Sequence, residues 1–163
     1  MHRTFSDAAV TDEELDQLVQ AGGRAPLAGN APTRRFVVVN DPRLVQTLRE
    51  VMPSFISNAP ACILVCTDLE LVARLMGERG RDVVSHIDAG TAAQTIALAA
   101  VELGLGVCFS QSSTDAAVRE VLALPQHVRP DIVVAVGRPA AAPSMRIRMQ
   151  PPVVDRNRYG ETW

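Results

Sequence analysis

The chain has 163 residues, a net charge of −2, and a composition of 47% hydrophobic and 21% charged residues. This length suits one domain with a sizeable core, and the composition is that of a globular rather than a disordered protein. The small negative charge excludes a strongly basic surface for nucleic acid. All 16 lysine-or-arginine positions are arginine, which excludes Schiff-base lysine chemistry and phosphate binding by a Walker-type lysine.

Targeting signals and cysteine usage predict a cytoplasmic protein. The first seven residues lack the apolar run of a signal peptide. The most apolar stretch, 96–101, is bounded by Gln94 and Glu102 and is shorter than the roughly 20 residues that cross a bilayer. Three cysteines without a secretion signal indicate a reducing compartment.

The first third of the chain predicts two helices that flank a loop and a strand. Thr11 and Glu14 have the spacing of a capping box, and the glycine pair at 22–23 is expected to end the first helix. The predicted order is a helix from 12 to about 21, a loop over 26–32, a buried strand over 36–39 and a helix from 42 to about 51.

The remaining elements alternate in the same way. Strands are predicted over 61–67, 107–109 and 132–136, and helices over 69–76, 88–103 and 115–122. The charged, glycine-containing run 77–82 reads either as a solvated turn or as a loop that cradles phosphate. This alternation indicates α/β layering around a central sheet. The helix over 88–103 is rich in alanine, so we expect a second subunit to cover part of it.

Cysteine and histidine offer little chemistry. Cys62 and Cys66 lie four residues apart on one face of a predicted strand, about 13 Å apart, which excludes a disulfide and a shared zinc ion. We expect both to be core residues. Cys108 is open to a nucleophilic role, but no histidine lies near it in sequence. None of the three histidines has metal-ligand spacing, so no metal site is predicted.

Four stretches, taken in chain order, resemble the FMN-dependent nitroreductase family. Any one alone would be a weak signal, but together they cover nearly the whole chain. They are Arg3-Thr4-Phe5 before the first helix, the loop 24–32 with its following strand, Asp88–Gln94 continuing to Cys108, and 124–154 with its Arg146-x-Arg148 pair.

The resemblance implies an α+β sandwich in which helices flank a central mixed sheet. It implies a homodimer that holds two FMN molecules at the subunit interface. The expected activity is transfer of a hydride from NAD(P)H through FMN to an electron-poor acceptor such as a nitroaromatic or a quinone. Because the cofactor carries this chemistry, no catalytic side chain is expected. The expected organisation is one flavin-binding domain over 1–163, with 139–163 as an extended arm.

The resemblance also implies which positions would contact FMN. Three arginines would bind its phosphate, because guanidinium groups pair well with a dianion: Arg3, Arg146 and Arg148. A loop would border the ring and the ribityl chain: Pro26, Leu27, Ala28 and Asn30. A third segment would face the ring: Ser110, Gln111 and Ser112.

The sequence also departs from the family pattern. The arginine and serine that usually precede the Arg3 position are missing, Leu27 replaces a serine, and Gln111 replaces a glycine. The helices that often cover the flavin are not evident. Arg34 and Arg35 read either as surface charges or as attractants for an anionic acceptor or the NADPH phosphate. Three alternatives stay open: flavin storage without catalysis, a homologue without flavin, and oxidation of a cyclic dipeptide, because the end of the chain resembles cyclic dipeptide oxidase subunits.

Overall fold

The computed structural model describes residues 1–111, 115–141 and 152–161. Its elements are α1 (Asp12–Arg24), β1 (Arg34–Val39), α2 (Pro42–Val51), β2 (Ala61–Asp68), α3 (Leu69–Arg79), α4 (Ser85–Glu102), β3 (Gly106–Ser110), α5 (Asp115–Val121) and β4 (Val128–Gly137). A short 3-10 helix covers Ala28–Asn30, and a π-helical segment covers Gly80–Val84. The predicted α/β class, with a sheet flanked by helices, is confirmed.

The sheet has the order β1-β2-β4-β3, and every pair of neighbouring strands is antiparallel. The expectation of a mixed sheet is therefore wrong for the described residues. The alternation of helices and strands suggested parallel crossovers. Instead, α2 and the return segment 52–60 bring the chain back to the end of the sheet that it left, since Val39 pairs with Cys62. β2 and β3 do run in the same direction, but β4 lies between them.

Two helical layers sandwich the sheet. Alternate residues of β2 point to opposite faces: Ile63 and Val65 pack with α1 and α4, whereas Cys62 and Cys66 pack with α2 and α5. All three cysteines are free and buried. Burial raises the pKa of the Cys62 and Cys66 thiols to about 12, so both are unreactive core residues, as predicted.

The glycine pair at 22–23 does not end the first helix, because α1 continues to Arg24. Gly22 instead permits a close approach between α1 and α4. A Cβ at this position would lie 2.8 Å from Cγ1 of Ile96, which is far inside van der Waals contact. The reason for this glycine is tertiary rather than local.

The charged run 77–82 is mostly helical rather than a loop, and most of it is exposed to solvent, as the solvated alternative predicted. The chain kinks at Gly77, where φ is +66°, and then passes through the π-helical segment directly into α4. α4 therefore begins at Ser85 rather than at Asp88. In the described part of the chain, no helix has both the length and the apolarity to cross a membrane.

The N-terminal segment lies along the end of the sheet where β3 begins. The amide of His2 donates to the Val107 carbonyl at 2.9 Å, and Phe5 forms an isolated antiparallel bridge with Pro139. Asn58 fixes the same segment, because its side chain exchanges hydrogen bonds of 2.7 and 2.9 Å with the backbone of Phe5. The predicted arm over 139–163 is described only at 139–141 and 152–161.

Candidate functional site

The loop between α1 and β1 is held against the first half of α4. The amide of Ala28 donates to both carboxylate oxygens of Asp88, at 3.2 and 3.3 Å. The hydroxyl of Thr91 lies 3.2 Å from the Pro26 carbonyl. Gly29 and Asn30 both have φ in the left-handed region. α4 therefore fixes the conformation of the loop that carries Pro26, Leu27, Ala28 and Asn30.

Arg34 stabilises the start of the same loop. Its guanidinium donates to the Ala25 carbonyl at 2.6 Å and reaches the Asp88 carbonyl at 3.5 Å, and the residue is only 9% exposed. Burial lowers the pKa of Arg34, and the charge of Asp88 opposes that shift. Neither reading of Arg34 was right, because it is a structural cation inside the protein. Arg35 is half exposed and lies 3.4 Å from Asp68.

Ser110 and Gln111 end β3 beside the return segment that follows α2. The Ser110 hydroxyl donates to the Ser54 carbonyl at 2.7 Å, and the Ser54 hydroxyl donates to the Gln111 carbonyl at 2.6 Å. Both residues line a cavity of about 280 Å³. Its other lining residues are apolar Ala89, Phe109 and Ile132, together with His86 and Asp131.

A polar cluster around the buried Asp131 adjoins this cavity. Asp131 accepts from the Thr67 hydroxyl at 2.6 Å and from Nε of Arg129 at 2.7 Å. Burial raises the pKa of Asp131, whereas Thr67 and Arg129 act in the opposite direction. Nδ1 of His86 lies 3.4 Å from Oδ1 of Asp131. No sequence pattern predicts this cluster, because its members come from separate elements.

Arg3 is exposed, and its backbone is anchored to Asn58 through a 3.4 Å hydrogen bond. Within the described ranges, its guanidinium makes no hydrogen bond or ion pair, so the charge is available to an anion. Arg3 lies at the start of β3, and Ser110 lies at the end. An extended strand of five residues spans about 13 Å between these ends. Arg146, Arg148 and Ser112 fall outside the described residues.

The structure does not bring all the predicted site residues together. Asp88 and Thr91 hold the loop, whereas His86 and Ala89 line the cavity. Each pair is spaced three residues apart on α4, so the two pairs occupy different faces of the helix. The loop is accordingly absent from the lining of the cavity beside Ser110 and Gln111.

A third face of α4 carries an exposed apolar stripe. Ile87 and Leu98 are each 61% exposed, and Val101 is 71% exposed. A second cavity of about 250 Å³ adjoins the stripe and is lined in part by Leu98, Val101 and Phe109. Large exposed apolar side chains that line up on one helix mark an interaction surface.

Arg3, the loop and the end of β3 all lie within residues that the model of a known family matches. The model of the nitroreductase family matches residues 1–54 and 53–138. The chain belongs to this family. The resemblance predicted from the four sequence stretches is therefore confirmed.

Individual nitroreductase-family relatives are similar over most of the chain. The FMN reductase (NADPH) of Bacillus subtilis is 31% identical over 154 residues, covering 85% of this chain and 61% of that protein. An Archaeoglobus fulgidus protein described as a candidate NADH dehydrogenase/NAD(P)H nitroreductase is 30% identical over 143 residues, covering 84% and 79%. The chain thus spans about three fifths of the length of the Bacillus relative.

The solved structures agree on the fold. An FMN-dependent nitroreductase from Clostridium difficile superposes with a TM-score of 0.73 at 27% identity, covering 86% of this chain and 83% of that one. Sequence reasoning had placed Asp88 inside a family motif but had not given it a role. In the structure, Asp88 positions the loop that the family resemblance assigns to the cofactor.

Proposed function

We propose that this protein is an FMN-dependent oxidoreductase that takes a hydride from NAD(P)H and passes the electrons to an electron-poor acceptor, such as a nitroaromatic or a quinone. The observation that carries this proposal is the pairing of an available cation, Arg3, with the Ser110–Gln111 cavity at opposite ends of the edge strand β3. The names of the Bacillus and Clostridium relatives support it. We place the protein in the cytoplasm, in keeping with its free, buried cysteines.

The residues present fit FMN. Arg3 offers an exposed guanidinium for the phosphate, with Arg146 and Arg148 as further candidates from the arm. Ser110 and Gln111 would border the ring at the mouth of the cavity, and the apolar walls of the cavity remain for a planar substrate beside the ring. When bound, FMN supplies the redox chemistry, and the protein supplies binding, orientation and exclusion of water.

We further propose that two copies of the chain share each site. The loop and the cavity lie on different faces of α4, so a single copy leaves them apart. The exposed stripe on α4 offers the apolar surface through which a second copy would bring its own loop to the cavity. A two-fold axis beside this helix would make the contact self-complementary.

A spectrum tests the activity. The purified protein, supplemented with FMN if needed, is examined for the visible absorption band of flavin before and after anaerobic addition of NADH and of NADPH. We expect a bound flavin that one of the two nucleotides bleaches. A band that neither nucleotide bleaches would favour flavin binding without NAD(P)H oxidation, and no bound flavin would contradict the proposal.

An arginine pair tests the phosphate site. We expect Arg3→Gln to weaken FMN binding by about 1.5–3 kcal/mol, the value of a hydrogen bond to a charged group. Arg43→Gln removes an exposed arginine from α2 and serves as the matched control. Equal FMN dissociation constants for Arg3→Gln and the wild type would remove Arg3 from the site.

A leucine pair tests the dimer. Leu98→Glu places a charge in the exposed stripe, whereas Leu44→Glu places one on α2, where the leucine is 40% exposed. Sedimentation equilibrium should give a dimer for the wild type and for Leu44→Glu, and monomers for Leu98→Glu. A Leu98→Glu dimer as tight as the wild type would place the interface elsewhere.

A further inference from the structure

The cavity beside Ser110 and Gln111 is lined by one imidazole, that of His86. His86 lines this cavity from the first turn of α4, and its side chain is 52% exposed. Its Nδ1 faces the carboxylate of Asp131 at 3.4 Å, which leaves Nε2 for a ligand in the cavity. The imidazole thus has contact with both the cavity and bulk water.

Asp131 lies beside this imidazole and is itself held by hydrogen bonds. Its side chain is 2% exposed, and its two oxygens are fixed by Thr67 and Arg129. Arg129 also donates to the Ser85 hydroxyl at 2.8 Å, which ties the start of α4 to β4. A carboxylate fixed within ion-pair distance of an imidazole favours one orientation of the ring.

We propose that His86, positioned by Asp131, donates a proton to the oxygen of a quinone bound in this cavity; the inference rests on the proposed function and names the acceptor class of the same site. The apolar walls formed by Ala89, Phe109 and Ile132 suit a planar, uncharged acceptor. A neutral quinone needs a proton donor on its oxygen as negative charge develops there.

The electron and proton balance is simple. Reduction of a quinone to a hydroquinone takes two electrons and two protons. Bound FMN would supply one proton with the electron pair, as the hydride taken from NAD(P)H. His86 supplies the second proton from its imidazolium, and the neutral ring regains a proton from water at its exposed side. No other oxidant or reductant is needed.

The charges near His86 come from two elements. Asp131 faces it from β4, where Arg129 pairs with Asp131, and Asp82 pairs with Arg81 in the π-helical segment before α4. Asp131 lies nearest, and it is the only one of these four that lines the cavity. Removing the Asp131 charge should therefore affect the imidazolium more than removing any of the others.

The first test separates proton transfer from electron transfer. The reduced, FMN-loaded protein is mixed rapidly with duroquinone, whose full methylation prevents addition to thiols, or with ferricyanide, which takes electrons without a proton. We expect His86→Gln to slow reoxidation by duroquinone about 100-fold, within the range of general acid catalysis, and to leave reoxidation by ferricyanide unchanged. His127→Gln, a histidine outside the cavity, is the control and should match the wild type.

Chemical rescue gives a readout that a purely structural role would not move. Asp131→Asn should slow reoxidation by duroquinone less than His86→Gln does and leave reoxidation by ferricyanide unchanged. Free imidazole should accelerate His86→Ala and leave the wild type unaffected. A duroquinone rate in His86→Gln equal to the wild-type rate would overturn the proposal.

A labelling experiment needs no turnover. Diethylpyrocarbonate modifies neutral imidazoles, and mass spectrometry of the oxidised protein reports His86 and His127 separately. Duroquinone should protect His86 and leave His127 unprotected. Unprotected His86 at saturating duroquinone would show that the quinone does not bind beside it and would also overturn the proposal.

Failure of the proposed function has a different signature. If NADH and NADPH do not reduce the bound flavin, dithionite reduces it instead, and the duroquinone and ferricyanide comparison proceeds unchanged. If FMN does not bind, the proposed function and this proton-transfer step both fail, and the labelling result then reports only whether the cavity takes a quinone.

Discussion

The two helical layers of this protein bury similar side chains but differ in what they do with polar groups. We call the layer of α2 and α5 the closed layer, because its core side chains are buried away from solvent. Leu48, Met52 and Val118 are fully buried in it, together with the thiols of Cys62 and Cys66. Its arginines, Arg49 and Arg119, satisfy nearby backbone carbonyls.

We call the layer of α1 and α4 the open layer, because α4 lines a cavity and exposes large apolar side chains. Its core is equally apolar, with Ala92, Ala93 and Ile96 almost fully buried. However, α4 also holds a distant loop through Asp88, contributes His86 to a cavity and exposes an apolar stripe. These contacts join residues that lie more than 40 positions apart in sequence.

Burial alone does not mark the functional side of this sheet. Buried polar groups are retained where they hold something in place, because each one costs free energy unless it is hydrogen-bonded. The α4 layer keeps Asp88, Arg34 and Asp131 in this way. The α2 and α5 layer, by this reasoning, serves the fold.

The largest expected effect concerns the thiols of the closed layer. A pKa of about 12 for Cys62 and Cys66 lowers the thiolate fraction at pH 8 about a thousandfold relative to a free cysteine. Iodoacetamide labelling followed by mass spectrometry should therefore leave both unmodified in the native protein and modify both in urea. Labelling of either thiol in the native protein at the rate of a free cysteine would show that the layer opens.

Leu48→Ala should cost about 3 kcal/mol of unfolding free energy, because a fully buried leucine leaves a cavity. The FMN affinity of the folded protein should not change, since Leu48 lies in the layer away from the site. Urea unfolding and FMN titration measure the two quantities. A weakened FMN affinity in the folded variant would mean that the two layers are coupled. Leu44→Ala, on the exposed side of the same helix, is the control.

Two consecutive arginines, one buried and one half exposed, should differ in their contribution to stability. Arg34→Gln should cost about 2 kcal/mol, because it leaves the Ala25 carbonyl without its charged donor, and it should also weaken FMN binding by loosening the loop. Arg35→Gln removes a half-exposed pair with Asp68 and should cost about 0.5 kcal/mol or less. Equal costs for the two variants would contradict the structural role of Arg34.

These arginines also show where sequence reasoning stops. Strand alternation places Arg34 and Arg35 on opposite faces of β1, but it does not say which face is buried. That depends on carbonyls from α1 and on Asp88 of α4, which only the tertiary fold brings to β1. The prediction that the glycine pair at 22–23 ends the first helix was wrong for the same reason. The close approach of Ile96 explains Gly22, whereas local turn preference does not.

Local signals with a complete short-range cause were predicted correctly. The capping box of Thr11 and Glu14 forms as predicted, because the Thr11 amide donates to the Glu14 carboxylate at 2.9 Å and the Glu14 amide donates to the Thr11 hydroxyl at 3.2 Å. The alternation in β2 correctly placed Cys62 and Cys66 in the core. The His86 and Asp131 pair was not predictable, since 45 residues of chain separate the two and no motif links them. For the site, the family resemblance predicted which residues would contact the cofactor. The structure shows which other residues hold those residues in place.

An effect smaller than that of Arg34→Gln is expected for Glu14, at the edge of the open layer. Glu14 caps α1 by accepting from the Thr11 amide and also pairs with Arg138 at 2.8 Å. Those contacts hold the pKa of Glu14 below its ordinary value, the Thr11 backbone hydrogen bond most of all. A carboxyl with a lowered folded-state pKa contributes stability above its unfolded pKa, about 4.3, and loses it as the pH falls through the folded value.

Glu14→Gln should therefore lower the free energy of unfolding by about 0.5–1 kcal/mol at pH 7 and by nothing at a pH below the folded-state pKa. Glu13→Gln removes a neighbouring first-turn charge that faces solvent, so the difference between the two variants cancels the helix-dipole effect. Urea unfolding at both pH values measures that difference. If it persists unchanged in acid, the stabilisation comes from packing of the Glu14 side chain rather than from its charge, because the Arg138 pair requires an ionised carboxylate.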